Sequence, residues 1–204
     1  MRVIGALLSL FVVAGQPQTL PPPFPRPNAV KMMENDRVQV WSVVWPKGQP
    51  TPLHRHIYDI TGTYIAPGDR VITDVDGSKR PVTNAAGGIV WQFKGLTHVE
   101  EGTSEQPLRA VMIDLKGDGP SGKTVKAADA PEFSGGAKPL LDNARVVVWD
   151  YPAATAPVRH AHVRDTVVIW TDGGEGRAIF LPAGTVHAGE PIGSATKATI
   201  FELK

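Results

Sequence analysis

The six histidines of this 204-residue chain fall into two matching sets. His54-Arg-His56 and His160-Ala-His162 each follow a proline and each precede an aspartate, Asp59 or Asp165, by three positions. Residues i and i+2 of a strand share a face, so each His-x-His aims two imidazoles into one space. Paired neutral imidazoles are half of a transition-metal site. The other two histidines, His98 in Gly95-Leu-Thr-His98 and His187 in Gly184-Thr-Val-His187, offer one further ligand to each pair. No histidine is left over. Three imidazoles with open positions suit Zn(II) holding water, or Fe(II) holding substrate and oxygen. With no anionic ligand, such a metal stays strongly Lewis acidic. The competing reading needs no metal: the histidines hydrogen-bond inside a barrel or touch a ligand.

The elements that must position these residues also occur twice. Asn35-Asp-Arg37-Val-Gln-Val40-Trp41 is echoed by Asn143-Ala-Arg145-Val-Val-Val148-Trp149. Val111-Met-Ile-Asp-Leu115-Lys116 is echoed by Thr199-Ile-Phe-Glu-Leu203-Lys204. Four landmarks recur in one order, which marks an internal duplication. Repeat one spans 29–116 and repeat two 140–204, joined by a Gly/Pro/Ser/Ala/Lys-rich linker, 117–139. Strands are expected at 37–45, 53–58, 61–65, 70–74, 89–93 and 108–115, and again at 145–151, 156–162, 166–170, 177–181 and 196–203. Asp76-Gly77 reads as a hairpin turn. No stretch sustains a helical period. His56 and His98 lie 42 positions apart, whereas His162 and His187 lie 25 apart. The second repeat is therefore shorter by about one hairpin, the one carrying Asp76-Gly77.

Composition bounds the class. The chain is 42% hydrophobic and 20% charged, enough to build a core. A net charge of +1 argues against a nucleic-acid partner. Met1-Arg2 followed by the apolar run to Ala14 reads as a signal peptide over 1–15, cut after Ala14 or Gly15; the alternative is a buried N-terminal element. Export implies a periplasmic or secreted protein with no membrane association after cleavage. The absence of cysteine excludes lipid attachment at an N-terminal cysteine and any disulfide. The Pro-rich stretch 16–28 reads as an arm or spacer rather than a packed strand, either a tether or a wrap around the domain.

These motifs resemble the cupin superfamily, and the duplication resembles a bicupin. The first cupin motif is Gly, five residues, His-x-His, three or four residues, then Glu. Gly48 precedes His54-Arg-His56 by that interval; Ala154 stands in its place in repeat two. The second motif is Gly, five residues, Pro-x-Gly, two residues, His, three residues, Asn. Gly176, Pro182, Gly184 and His187 match it; Gly87, Gly95 and His98 match it with Phe93 in place of Pro. The fold implied is all-β: two tandem antiparallel β-barrels of jelly-roll type, the second shortened. Two departures narrow the function. Gly102 and Pro191 stand where the Asn would be. The Glu ligand is missing, its positions held by Ile60 and Thr61, or by Thr166 and Val167. Asp59 and Asp165 fall one residue short, as direct ligands after a bulge or as partners and turn residues.

The resemblance implies sites like those of diketone-cleaving and thiol-oxidising dioxygenases, and lowers the oxalate-degrading and manganese-storage readings, which use the Glu. Two functions follow. One is a metal-dependent enzyme, dioxygenase-like, on a small oxygen-rich substrate, with Fe, Zn or Mn held by His54, His56 and His98 or by His160, His162 and His187. Tyr58 would then shape the pocket or donate a proton. Repeat one is favoured for chemistry because its fuller barrel encloses a pocket better. The other is a non-catalytic protein binding metal, sugar or organic acid. Homo-oligomerisation is compatible with both. Trp41 and Trp149 are expected to pack, as are the equivalent Tyr64 and Trp170. Arg55 and Arg159 should point outward. Arg164 could turn inward to hold a carboxylate.

Overall fold

The computed structural model describes residues 19–119, 122, 124–126, 130–133, 138–152, 159–172, 176–188 and 197–204. The expected signal segment and Ala154 lie outside these residues. Every regular element within them is a strand. The first half holds β1 (Ala29–Glu34), β2 (Val38–Trp45), β3 (His54–Arg55), β4 (Asp59–Ala66), β5 (Gly68–Asp74), β6 (Lys79–Asn84), β7 (Ile89–Gln92), β8 (Thr97–Gly102) and β9 (Leu108–Leu115). The second holds β10 (Leu141–Asp142), β11 (Val146–Pro152), β12 (Arg159–His162), β13 (Thr166–Trp170), β14 (Arg177–Leu181), β15 (Thr185–Ala188) and β16 (Lys197–Leu203).

The two halves repeat one another except for one hairpin. A five-stranded sheet in the order β1-β2-β9-β4-β7 has its counterpart in β10-β11-β16-β13-β14. A second sheet, β3-β8-β5-β6, has its counterpart in the pair β12-β15. The hairpin β5–β6 is what the second half lacks. Its turn is the expected one: Asp76 Oδ1 accepts the Ser78 N–H at 2.9 Å, and Gly77 has φ +83°. In the second half only residues 171–176 separate β13 from β14, too few for two more strands.

Alternation of side chains builds three apolar layers. On β2, Trp41, Val43 and Trp45 face one way and Val38 and Val40 the other. The first set joins Ile60, Tyr64, Leu108, Ala110 and Met112 inside barrel 1. The second set joins Val111, Ile113 and Leu115 against Val146, Val148, Val167, Ile169, Phe201 and Leu203 of barrel 2. Val168, Trp170, Ala198 and Ile200 fill barrel 2. The large sheets of the two barrels thus pack face to face, and their central strands are buried on both sides. That is why β9 and β13 read as near-continuous apolar runs. Gly176 sits at this contact with φ +59°; a Cβ there would lie 2.7 Å from Val111 Cγ2.

Polar residues on opposite halves close the seam. Asn35 Oδ1 accepts the N–H groups of Arg37 and Val38 at 2.8 and 3.0 Å; Asn143 Oδ1 does the same for Arg145 and Val146. Arg37 then reaches Asp165 at 2.6 Å, and Arg145 reaches Asp59 at 3.4 Å. Each barrel's arginine holds the other barrel's aspartate.

Neither Pro-rich stretch is a free tether where it is described. Pro21 accepts the Arg55 N–H at 2.9 Å, and Phe24 stacks on Trp41 with centroids 5.2 Å apart. In the linker, Pro131 accepts the Ala161 N–H at 2.8 Å and the Phe133 N–H donates to Ala161 O at 2.8 Å. The two segments dock on equivalent strands, β3 and β12.

Candidate metal centres

Both histidine triads are built the same way. His54 on β3 lies directly opposite His98 on β8, and His160 on β12 lies opposite His187 on β15. The second histidine of each pair is fixed by the glycine of the later motif: Gly95 N–H donates to His56 O at 2.7 Å, and Gly184 N–H to His162 O at 2.7 Å. Ring centroids in the first triad are 4.8–5.5 Å apart and in the second 4.5–5.1 Å. Each triad offers three nitrogen atoms within 4.8 Å of one another.

The first triad fits a cation on its own chemistry. His54, His56 and His98 are buried. His54 Nδ1 lies 2.9 Å from Pro52 O. A carbonyl only accepts, so Nδ1 carries the proton and Nε2 keeps its lone pair. His56 Nδ1 and both ring nitrogens of His98 are buried without a hydrogen-bond partner. Unpaired buried polar atoms are costly, and a bound metal satisfies one nitrogen on each ring. Burial, then the neighbouring His98 and His54, hold His56 down to about 3. Burial holds His98 down to about 4, although Glu100 pulls the other way. Burial likewise lowers His54, against the Pro52 carbonyl. The rings are neutral near pH 7 and their lone pairs are available.

Among solved structures, a cupin 2 conserved barrel domain protein from Leptotrichia buccalis matches at TM-score 0.51 over 86% of this chain and 88% of its own, with 15% identity. The chain has the cupin fold. A cupin domain from Bordetella pertussis Tohama I matches 46% of this chain and 99% of its own at 24% identity and TM-score 0.41. No protein-family model matches the sequence, and no curated protein does.

The cupin pattern locates the departures. Ile60, at the position of the missing Glu, is buried in the apolar layer of barrel 1. Asp59 and Asp165 belong to neither triad. Asp59 Oδ1 accepts the Lys94 N–H and Asp165 Oδ1 the Ala183 N–H, both at 2.9 Å, and their other oxygens face Arg145 and Arg37. They act as turn residues whose side-chain partner is an arginine of the other barrel, not a histidine of the triad. Gly102 replaces the cupin Asn because a Cβ there would lie 2.3 Å from Trp45 O.

Tyr58 lines a surface groove with Phe24, Pro25, Lys31, Trp41 and Ile57, and no histidine lines that groove. The strand breaks at Ile57 and Tyr58, so the two-residue alternation from His56 does not carry Tyr58 inward. Arg55 and Arg159 are exposed, as alternation predicts. Arg164 lies 3.5 Å from Glu202, a carboxylate of its own barrel rather than of a ligand. Trp41 and Trp149 pack and also donate: to Asp114 at 3.0 Å and Glu202 at 3.2 Å.

The two barrels differ most in what surrounds the triads. In barrel 1, Glu100 Oε1 lies 3.7 Å from His98 Nε2. Glu100 accepts from Trp45 Nε1 at 2.9 Å and from Arg70, and Arg70 donates to Tyr64 Oη at 2.6 Å. Burial alone would raise the Glu100 carboxyl; Arg70, His98 and Arg26 outweigh it and keep it ionised. In barrel 2, Phe133 lies 5.1 and 5.0 Å from His160 and His162, and Tyr151 lies 6.5 Å from His160. Tyr64 and Trp170 both pack in the cores of their barrels, and Tyr64 also joins the Arg70 network. Sequence reasoning missed Glu100, Arg70 and Phe133. The signal for Glu100 was its place two residues after His98, on the same face of the strand.

Proposed function

We propose that this chain is an exported metal protein in which barrel 1 carries a metal-dependent, dioxygenase-like activity on a small oxygen-rich substrate such as an enol or hydroxy acid. The observation that carries this reading is the first triad itself: three buried neutral imidazoles, each with a nitrogen within 4.8 Å of the other two, and no hydrogen-bond partner on His56 Nδ1 or either nitrogen of His98. A divalent metal bound there supplies a Lewis acid with open positions for ligand oxygens. The protein's part is binding and orientation. The three imidazoles fix the cation. Arg70, held by Glu100 and Tyr64, places a buried positive charge in the layer that faces the triad. Burial raises the Tyr64 hydroxyl, so it stays protonated. Because its oxygen accepts from Arg70, its own proton remains for a ligand.

Barrel 2 favours the second reading, metal held without turnover. Its triad lies beside the rings of Phe133 and Tyr151, and that ring wall supports retention.

The test is oxygen uptake by protein loaded with Fe(II), Mn(II) or Zn(II), screened with diketones, thiols and flavonols. Turnover in the Fe(II) form that is lost in His98→Ala and kept in His187→Ala is the expected result. Stable loading without turnover by any form would leave only the binding reading. Export is tested separately: cell fractionation should place a mature form beginning after Ala14 or Gly15 outside the cytoplasm, and an uncleaved cytoplasmic chain would overturn that assignment.

A further inference from the structure

The cupin Glu position of barrel 1 is apolar, yet the barrel does bring a carboxylate to its triad from another strand. This inference rests on the reading that the first triad binds metal. On β8, His98, Glu100 and Gly102 share one face, and that face looks into the barrel. Glu100 is buried, with Oε1 3.7 Å from His98 Nε2. Its place is fixed from both sides: Trp45 Nε1 donates to Oε2 at 2.9 Å, and Arg70 Nη1 donates to Oε1. The backbone N–H of Glu100 donates to Thr51 Oγ1 at 2.9 Å, which ties the strand to the loop before His54. A carboxylate oxygen has two lone pairs, so Oε1 can accept from Arg70 and still present one to a cation. Two donors about 2.1 Å from one ion lie roughly 3.0–3.4 Å apart at octahedral or tetrahedral angles. A gap of 3.7 Å to His98 is a few tenths of an ångström more, but Glu100 is outside the set of donors that lie within 4.8 Å of one another, so its carboxylate must swing from Arg70 towards His54 and His56 to reach the ion. At the equivalent position of repeat two, two residues after His187, the sequence has Gly189.

We propose that Glu100 is a fourth protein ligand of the barrel 1 metal. Barrel 1 then offers three nitrogens and one anionic oxygen. An anionic oxygen suits harder divalent ions, so barrel 1 with Glu100 takes Mn(II) or Fe(II) more readily, relative to Zn(II), than the same barrel without that carboxylate.

The test uses full-length protein in a His187→Ala background, so that only the first site reports. Co(II) binding is followed by visible absorption, with and without Glu100→Gln. The glutamine keeps the shape and can still accept from Trp45 but brings no charge. The expected result is a shift of the Co(II) bands and at least about 10-fold weaker binding, by comparison with the roughly 10–100-fold cost of losing even an outer-sphere partner. Unchanged bands and affinity in a folded Glu100→Gln protein would overturn the proposal. Should that variant not fold, Mn(II) bound to His187→Ala protein grown with carboxyl-¹³C glutamate decides: ¹³C hyperfine coupling in electron–nuclear double resonance supports direct ligation, and its absence overturns it. Failure of the His187→Ala protein to bind either ion would instead sink the metal reading, which keeps the two failures distinct.

Discussion

Two equivalent sets of three histidines stand in two different surroundings. In barrel 1 the sheet that carries them has four strands, and β5 and β8 bring Arg70 and Glu100 to the triad. In barrel 2 that sheet has two strands, and the space beside the triad is taken by Phe133, which the linker delivers, and by Tyr151. The ligand geometry survives the loss of a hairpin because it depends only on β3 pairing with β8, or β12 with β15. The electrostatics are built from other strands: Arg70 sits on the hairpin that barrel 2 lacks, and in barrel 2 Arg164 lies 3.5 Å from the buried Glu202 instead. Removing one supersecondary unit leaves a binding geometry intact and changes which charges stand beside it.

The largest expected break in this contrast is Arg70→Leu. It leaves Glu100 buried without its cation, and breaking one side of a buried pair costs about 3–5 kcal/mol. Chemical denaturation should show that loss, with Co(II) spectra of the barrel 2 site in a His98→Ala background unchanged. A mild effect would mean that Glu100 finds another partner and that the network is loose.

Phe133→Ala should cost about 3 kcal/mol and act on the other side of the comparison. Its ring is 8% exposed and lies against His160 and His162. Metal affinity at barrel 2 should change while barrel 1 does not. Equal effects at both sites would show that the barrels unfold as one unit.

The pH dependence carries two signs. His56 and His98 have folded values near 3 and 4 against 6.5 unfolded, so the unfolded chain binds more protons between those limits. Metal-free protein should lose stability as pH falls from about 6.5 towards 4. Asp114 goes the other way. Burial, opposed by Trp41 and Lys116, raises it to about 7 from 3.8. Its contribution is present below pH 3.8 and lost as pH rises through 7. Asp114→Asn should therefore be stabilising relative to wild type above pH 7 and neutral near pH 4, as thermal melts across that range would show.

The smallest effect belongs to the seam between barrels. The Arg37–Asp165 pair is about one-fifth exposed on each side. Arg37→Ala should cost roughly 0.5–1 kcal/mol, in keeping with partly screened pairs. A larger loss, read by denaturant titration, would mean that the paired arginines govern barrel docking.

The duplication and both triads were legible in the sequence because their information is local: His-x-His needs only strand alternation, and the third histidine repeats in register. The fold class followed from turn residues between short apolar runs. What was not legible was local only in part. β8 was missed because its inward residues, His98, Glu100 and Gly102, are polar or small, so its alternation does not look hydrophobic. β6 carries Pro81 and mostly exposed side chains, and it too gave no strand signal. Asp59 and Asp165 invited a ligand reading beside their histidines, yet their partners are arginines of the opposite repeat. The recurrence of Asn-x-Arg in both repeats was the available clue. Phe133 was hidden because the composition around it is that of a linker.

Metal content of wild-type protein, His98→Ala and His187→Ala, measured after exhaustive loading with one divalent ion and removal of excess, tests the account most directly. The account predicts two equivalents in the wild type and one in each variant, with the remaining equivalent retained by different affinities in the two. Wild-type protein that holds no metal, or variants that both keep two equivalents, would contradict it.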